Sequence, residues 1–79
     1  MTLTEAVARR IKDLLTERKM TAYQLFKASG VPQSTISTIL SVQTTTVKLS
    51  TLYDICAGLE IELKDFFEVP YLSLANIED

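Results

Sequence analysis

Residues 21–40, TAYQLFKASGVPQSTISTIL, contain the signals that decide the fold of this chain. Thr21 belongs to the residue types that cap the start of a helix. Gly30 suits the left-handed conformation just past a helix end, and Pro32 suits a helix start, where its missing N–H costs nothing. The segment therefore predicts two short helices joined by a tight turn at Gly30, the second running from about Pro32 to Leu40.

The second of these helices has one apolar and one polar side. Ile36, Ile39 and Leu40 recur at helical spacing and are expected in the core. The residues expected to point outward are small and polar: Gln33, Ser34, Ser37 and Thr38. Two short helices with such a row on the second are the arrangement that lets a protein lay a helix in the major groove of DNA. Any solvated helix can show a similar polar face, so this prediction depends largely on the turn at Gly30.

The rest of the chain is also predicted to be helical. A first helix is expected from a cap at Thr4 to about Lys19. Residues 41–46, SVQTTT, include poor helix formers and are expected to form a loop. Apolar residues then return at helical spacing over residues 49–59, and residues 61–67 fit a short fifth helix.

The predicted fold class is all-α, in one domain of about five helices. The domain is expected to span residues 1–68, and residues 69–79, VPYLSLANIED, form an apolar tail. Exposed apolar patches on small domains usually mark interfaces, so the tail, together with Phe66 and Phe67, is a candidate dimerisation segment. The alternative is that the apolar residues of the tail fold back against the first helix. These residues are Tyr71, Leu72 and Leu74.

The composition argues against several classes of protein. The chain has 79 residues, of which 47% are hydrophobic and 23% charged, as is typical of one small globular domain. Cys56 is the only cysteine and histidine is absent, so a disulfide within the chain and a His/Cys metal site are both excluded. No Gly-rich phosphate loop and no nucleophile with a neighbouring base is present, which argues against an enzyme. We therefore expect no metal, no cofactor and no small-molecule ligand.

Targeting signals are also missing from the sequence. No charged-then-apolar leader opens the chain, and no apolar run approaches the length of a membrane span. These features predict a cytoplasmic protein without a membrane partner.

Charge is divided unevenly along the chain, although the net charge is only −2. Residues 1–48 contain seven basic and three acidic residues, a net charge of +4, whereas residues 49–79 contain one basic and seven acidic residues, a net charge of −6. This asymmetry suggests a basic face toward phosphate and an acidic end that points away from it. An ordinary scatter of solvated charges is the alternative.

In their order and spacing, these residues resemble the helix-turn-helix domain of the phage Cro/C1 repressor family, also called the XRE family. The matching positions lie within residues 7–67 and are Leu25, Gly30, Val31, Ser34, Thr35, Ile36, Ser37, Ile39, Leu52, Ile55, Leu59, Ile61, Leu63 and Phe67. The resemblance implies a compact five-helix, lambda-repressor-like DNA-binding domain. It also implies double-stranded DNA as the partner and transcription regulation as the function.

The sequence departs from the family pattern at four positions. Members usually have glutamine at the first residue of helix two, where it helps to hold a DNA phosphate, and this chain has Ala22. The small residue that usually lets the two helices pack closely is replaced by Phe26. An Arg–Glu ion pair of many members is replaced by Leu15 and Leu40, which we expect to touch. Such a replacement is often neutral or stabilising, so the fold should persist.

The same resemblance assigns the residues that would contact DNA. Three of them would reach base edges: Gln33, Ser34 and Thr38. The Gln33 amide suits adenine because it can accept from N6 and donate to N7, and the Thr38 methyl suits a thymine methyl. Phosphate contacts are expected from the helix starts, the polar face and the loop that follows it. The candidates are Thr21, Ala22, Thr35, Ser37, Ser41, Gln43, Thr44, Thr45 and Lys48.

Residues 28–47 include no charged residue, which limits affinity for DNA because lysine and arginine neutralise the phosphates. A homodimer on a two-fold site would compensate, since the second contact becomes intramolecular. The sequence and the resemblance together predict a sequence-specific DNA-binding repressor that acts as a homodimer on a roughly palindromic operator. The alternative is a protein-interaction module, antitoxin-like or a phage accessory factor, with reduced DNA binding.

Overall fold

Five α-helices follow one another in the computed structural model, which describes residues 1–78. They are α1 (Leu3–Glu17), α2 (Ala22–Ser29), α3 (Gln33–Leu40), α4 (Leu49–Gly58) and α5 (Leu63–Phe66). Two short 3₁₀ turns follow, Pro70–Leu72 and Leu74–Asn76, and residues 1–78 include no strand. The all-α prediction is confirmed. None of the helices in this range is long and apolar enough to cross a membrane.

The first two helices begin with complete capping boxes. At α1 the Thr2 hydroxyl accepts from the Glu5 N–H at 3.2 Å, and the Glu5 carboxylate accepts from the Thr2 N–H at 2.8 Å. Thr21 and Gln24 make the same pair of bonds at α2. The predicted cap at Thr4 is therefore wrong, because Thr2 has the extended backbone of a cap and has its glutamate three residues later.

Three helices end at a residue other than glycine in the left-handed conformation. Lys19, Val42 and Glu60 have φ values of 53°, 56° and 55°, and they follow α1, α3 and α4. In each case the next N–H bonds back to a carbonyl five residues earlier, as in Gln43 to Thr38 at 3.0 Å. The chain thus closes these helix ends with a hydrogen-bonded turn that glycine would adopt with less strain.

The helices pack around one apolar core. Its most enclosed large side chains are Phe66, Ile11, Leu14, Leu25, Ile36, Ile55 and Leu59, with Cys56 beside them. Leu15 is buried in this core and Leu40 packs against it half-buried, so both belong to one cluster; their direct contact stays a prediction. The predicted apolar period of α4 begins at Leu49, but this residue lies on the solvent side of the first turn and is 69% exposed. The buried positions of α4 begin at Leu52.

The apolar tail folds back along α1. The Tyr71 hydroxyl donates to Asp13 Oδ2 at 3.0 Å, and the Arg9 guanidinium lies 4.3 Å from the centre of the Tyr71 ring. Leu72 packs against the core, whereas Leu74 is 93% exposed. The expectation that the tail folds back against the first helix is therefore confirmed for Tyr71 and Leu72 but is wrong for Leu74. Asp79, the last residue of the predicted tail, lies outside the described residues.

Candidate nucleic-acid interface

The turn at Gly30 fixes the angle between α2 and α3. Gly30 has φ 75°, and its N–H donates to the Phe26 carbonyl at 2.9 Å, which closes the end of α2. Val31 is buried between the two helices, and its N–H donates to Ser29 Oγ at 3.1 Å. Pro32 then precedes the first residue of α3 with an extended backbone that needs no N–H. The predicted turn and both helix boundaries around it are confirmed.

The polar side of α3 faces solvent as the sequence predicts. Ile36 and Ile39 are buried, whereas Gln33 and Ser34 are exposed at the first turn of the helix. Within the described chain, the Gln33 amide and the Ser34 hydroxyl make no hydrogen bond to protein groups, so all their donors and acceptors are free. Thr38 differs: it is half-buried and its hydroxyl donates to the Ser34 carbonyl at 2.9 Å.

A cleft of about 380 Å³ lies between α3, the loop that follows it and the first turn of α4. We call it the α3–α4 cleft. It brings together Ser34 and Thr38 with three of the predicted phosphate contacts, Thr35, Thr44 and Lys48. Its other lining residues are Ile39, Thr46, Val47 and Thr51. Other predicted contacts lie outside its lining: Thr21, Ala22, Gln33, Ser37, Ser41, Gln43 and Thr45.

The family of Cro/C1-type HTH DNA-binding domains matches residues 10–70 of the chain. The chain belongs to this family. Its α2 and α3 are accordingly the two helices of the motif, and the family supports a DNA-binding regulator. Neither a curated protein nor a solved structure matches the chain.

Several hydroxyl groups of this HTH domain are already engaged in hydrogen bonds within it. Ser41 Oγ donates to the Ser37 carbonyl at 2.7 Å, and Thr44 Oγ1 donates to the Thr46 carbonyl at 2.7 Å. The Thr21 hydroxyl accepts from the Gln24 N–H at 3.1 Å and keeps its own proton. Donation to a phosphate therefore costs an internal bond at Ser41 and Thr44 but not at Thr21.

Backbone N–H groups are the second source of donors on this side of the HTH domain. The starts of α3 and α4 have no side-chain cap, in contrast to those of α1 and α2. Uncapped first-turn N–H groups and the helix dipole both favour a negative group at such a position. Lys48, directly before α4, is exposed and adds a full positive charge there.

The HTH domain uses its arginines for internal contacts, which the sequence did not reveal. Arg10 Nε donates to the Phe66 carbonyl at 2.7 Å, and its Nη2 donates to the Asp65 carbonyl at 2.9 Å. Arg18 Nε donates to the Leu59 carbonyl at 2.8 Å. These carbonyls belong to helix ends, where arginine is a common partner. Their pairing required the folded chain, because 41 to 56 residues separate the groups.

After these contacts are made, the free basic side chains of residues 1–48 are all lysines. Arg9 stacks on Tyr71 and lies 3.8 Å from Asp13 Oδ2. The lysines that are exposed and form no ion pair within the described residues are Lys12, Lys19, Lys27 and Lys48. The net charge of +4 in the first 48 residues therefore overstates the positive charge that is available to phosphate.

Proposed function

We propose that the protein is a cytoplasmic, sequence-specific transcriptional repressor that binds a roughly palindromic operator as a homodimer, with α3 in the major groove. The observation that carries this proposal is the exposed start of α3. Gln33 and Ser34 present free hydrogen-bonding groups there, on a helix whose position is fixed by the Gly30 turn. Membership of a DNA-binding family supports the same conclusion.

Base recognition is assigned to Gln33, Ser34 and Thr38. The Gln33 amide pairs with the N6 and N7 edge of adenine, and Ser34 serves as donor or acceptor for a neighbouring base. Thr38 contributes its methyl to a thymine methyl, because its hydroxyl proton already bonds to the Ser34 carbonyl. One good bidentate contact discriminates between bases by about 1–3 kcal/mol.

Phosphate contacts are assigned to the groups that surround α3. Lys48 supplies the charge, and the open starts of α3 and α4 supply N–H donors. The remaining phosphate contacts are assigned to Thr21, Ala22, Thr35, Ser37, Ser41, Gln43, Thr44 and Thr45. Ala22 contributes only its backbone N–H, since its side chain cannot replace the glutamine that is usual there.

The small number of free cations supports a homodimer. With only Lys12, Lys19, Lys27 and Lys48 free, one copy neutralises few phosphates and binds weakly. Two linked copies convert the second half-site contact into an intramolecular one. The exposed Leu74 and the 40% exposed Phe67 are the apolar side chains that we assign to the dimer contact.

A protein-interaction module with reduced DNA binding is the second candidate. The specific observation that favours it is the engagement of Arg9, Arg10 and Arg18 by the C-terminal half of the chain. Together with the uncharged α3, this lowers the expected affinity for DNA. The antitoxin-like or accessory role of such a module depends on a protein partner.

Selection of binding sites from a randomised DNA library tests the proposal. Wild type is expected to enrich a two-fold-symmetric motif, and Gln33→Ala is expected to lose preference at particular bases. Gln43→Ala is the matched control, because the same amide is lost from a residue assigned to phosphate. Gln43→Ala should weaken binding to all DNA sites by the same factor.

Salt dependence separates the two candidates. Lys48→Gln should reduce the slope of log K against log salt by about one while leaving the selected motif unchanged. A wild type that enriches no motif, and whose weak binding disappears in moderate salt regardless of Gln33, would favour the protein-interaction module.

A further inference from the structure

A second cleft, of about 600 Å³, lies beyond the end of α4 that points away from the α3–α4 cleft. We call it the α4–α5 cleft. Its apolar side chains are Tyr53, Ala57, Ile61 and Leu63, above the buried Cys56. Tyr53 is 59% exposed and Ile61 and Leu63 are half-buried, so the floor of this cleft is open to solvent. An aliphatic or aromatic side chain inserted here would gain apolar contact area.

Carboxylates surround this apolar floor. Glu60, Glu62 and Asp65 line the cleft and are exposed, and within residues 1–78 none of their carboxylates forms an ion pair. Arg18 also lines it; its Nε donates to the Leu59 carbonyl, and its buried Nη1, which lies 4.0 Å from Glu17 Oε2, has no hydrogen-bond partner. The cleft therefore combines an apolar floor with a rim of unpaired negative charge.

We propose that the α4–α5 cleft binds a basic segment of another protein. Charge complementarity identifies this occupant, since lysine or arginine residues would meet the three carboxylates while an apolar residue between them contacts Tyr53 and Leu63. DNA does not fit because its phosphates would be repelled by the rim. A second copy whose own α4–α5 cleft meets this one across a two-fold axis does not fit either, because the two acidic rims would then lie face to face.

The position of the cleft allows this partner and DNA to be bound together. Lys48 and Thr51, in the first turn of α4, line the α3–α4 cleft, whereas Ala57 and Glu60, at the other end, line the α4–α5 cleft. The ten residues of α4 separate these ends by about 15 Å. The partner site is thus a separate surface from the proposed DNA site and does not depend on DNA binding.

NMR titration of the full-length ¹⁵N-labelled protein tests the proposal. The probe is a synthetic peptide with blocked ends, GKLRFKG, in which basic residues flank leucine and phenylalanine. We expect saturable shifts confined to the amides around Tyr53, Ala57, Ile61 and Leu63. A peptide that lacks the apolar residues, GKGRGKG, and an acidic one, GELEFEG, should both bind at least about tenfold more weakly.

Two variants and a control locate the binding. Glu62→Gln removes one rim charge and Tyr53→Ser removes exposed apolar surface; each should weaken binding about two- to fivefold, as for an exposed contact. Glu68→Gln removes one charge from an exposed residue outside the lining and should leave binding unchanged. Unchanged thermal unfolding shows that each variant is folded.

Three results would overturn the proposal. The first is the absence of saturable shifts. The second is shifts that spread over all acidic segments, with Glu68→Gln as harmful as Glu62→Gln, which would show unspecific attraction between charges. The third is equal binding of GKGRGKG, which would show that the apolar floor plays no part.

Discussion

Val42 is a β-branched residue in the left-handed region, with φ 56°, directly after the C-terminal cap of α3. For residues other than glycine this conformation costs about 1–2 kcal/mol. The turn is nevertheless closed, because the Val42 N–H donates to the Ile39 carbonyl at 3.1 Å. Val42 is 39% exposed and lines a cleft with Leu3, so the burial of its side chain offsets only part of the strain.

Val42→Gly is therefore expected to stabilise the protein by about 1 kcal/mol, after the greater flexibility of glycine in the unfolded chain is subtracted. Urea unfolding followed by circular dichroism measures the change. The control is Val47→Gly, at a half-buried valine without a positive φ, which should destabilise. If Val42→Gly also destabilises, the contact of Val42 with its neighbours outweighs the strain.

At the scale of elements, α2 and α4 are held at a close approach by one glycine. Gly58 is buried at the end of α4, and a Cβ placed there would lie 2.8 Å from Ser29 Cβ and 3.0 Å from Ser29 Cα and N. Since two of these atoms belong to the backbone of α2, the contact cannot be relieved by rotating a side chain. The chain thus keeps a poor helix former where packing requires it.

Gly58→Ala should destabilise the protein by about 1–3 kcal/mol, although alanine in a helix is ordinarily favoured by about 1 kcal/mol. The reason is that overpacking against Ser29 outweighs the gain in helix propensity. Thermal and urea unfolding measure the difference. Ala57→Gly, at the exposed neighbouring position, is the control and should cost about 1 kcal/mol through propensity alone. A stabilising Gly58→Ala would contradict the close approach.

The capping box of α1 predicts a dependence of stability on pH. Hydrogen bonds from the Thr2 N–H and hydroxyl lower the pKa of Glu5 below its ordinary value of 4.5. Because the native pKa is the lower one, the stabilisation is present above the ordinary value and is lost as the pH falls through the native pKa. Glu5→Gln should therefore be less stable than wild type at neutral pH, and the difference should shrink in acid.

Urea unfolding between about pH 3 and 7 tests this prediction, with an NMR titration of the Glu5 carboxyl as a direct check. A Glu5 carboxyl that titrates at or above 4.5 in the folded protein would contradict the box as the cause. A constant difference between wild type and Glu5→Gln across this range would do the same.

At the scale of the whole molecule, the C-terminal residues close the structure against α1. Arg10 and Arg18 bind the carbonyls at the ends of α5 and α4, and Arg9 and Asp13 hold Tyr71. Arginines of the basic first half thereby donate hydrogen bonds to backbone carbonyls of the second half. These contacts engage all the arginines of the HTH domain and leave its lysines as the free basic side chains.

Tyr71→Ala is expected to destabilise the monomer by about 1–2 kcal/mol, since it removes a hydrogen bond and a cation–π contact. Leu74→Ala is the matched variant on the same tail. Because Leu74 is 93% exposed, its loss should change the stability of the monomer by no more than about 0.5 kcal/mol. Urea unfolding at low protein concentration measures both.

The same pair of variants tests the proposed dimer contact. Analytical ultracentrifugation should show that Leu74→Ala weakens dimerisation although it leaves the fold intact. If Leu74→Ala dimerises as wild type does, the tail is not the interface. Equal stability of Tyr71→Ala and wild type would show that the tail does not hold α1.

The sequence by itself determined the local features of this protein. The left-handed turn at Gly30, the cap at Thr21 and the apolar period of α3 depend on residues within one or two helical turns of each other, so they can be read along the chain. The exposed Gln33 and Ser34 follow from the same period. The cap at Thr4 was misplaced because two threonines lie two residues apart and only Thr2 has a glutamate at the required distance.

Only the tertiary structure decided which side chains are free. The contacts of Arg10 with the end of α5, of Arg18 with Leu59 and of Tyr71 with Asp13 join residues 41 to 58 positions apart. No local pattern encodes such pairs, since they arise from the packing of the helices. For the same reason the apolar floor and acidic rim of the α4–α5 cleft were visible only once α4 and α5 were placed against the end of α1.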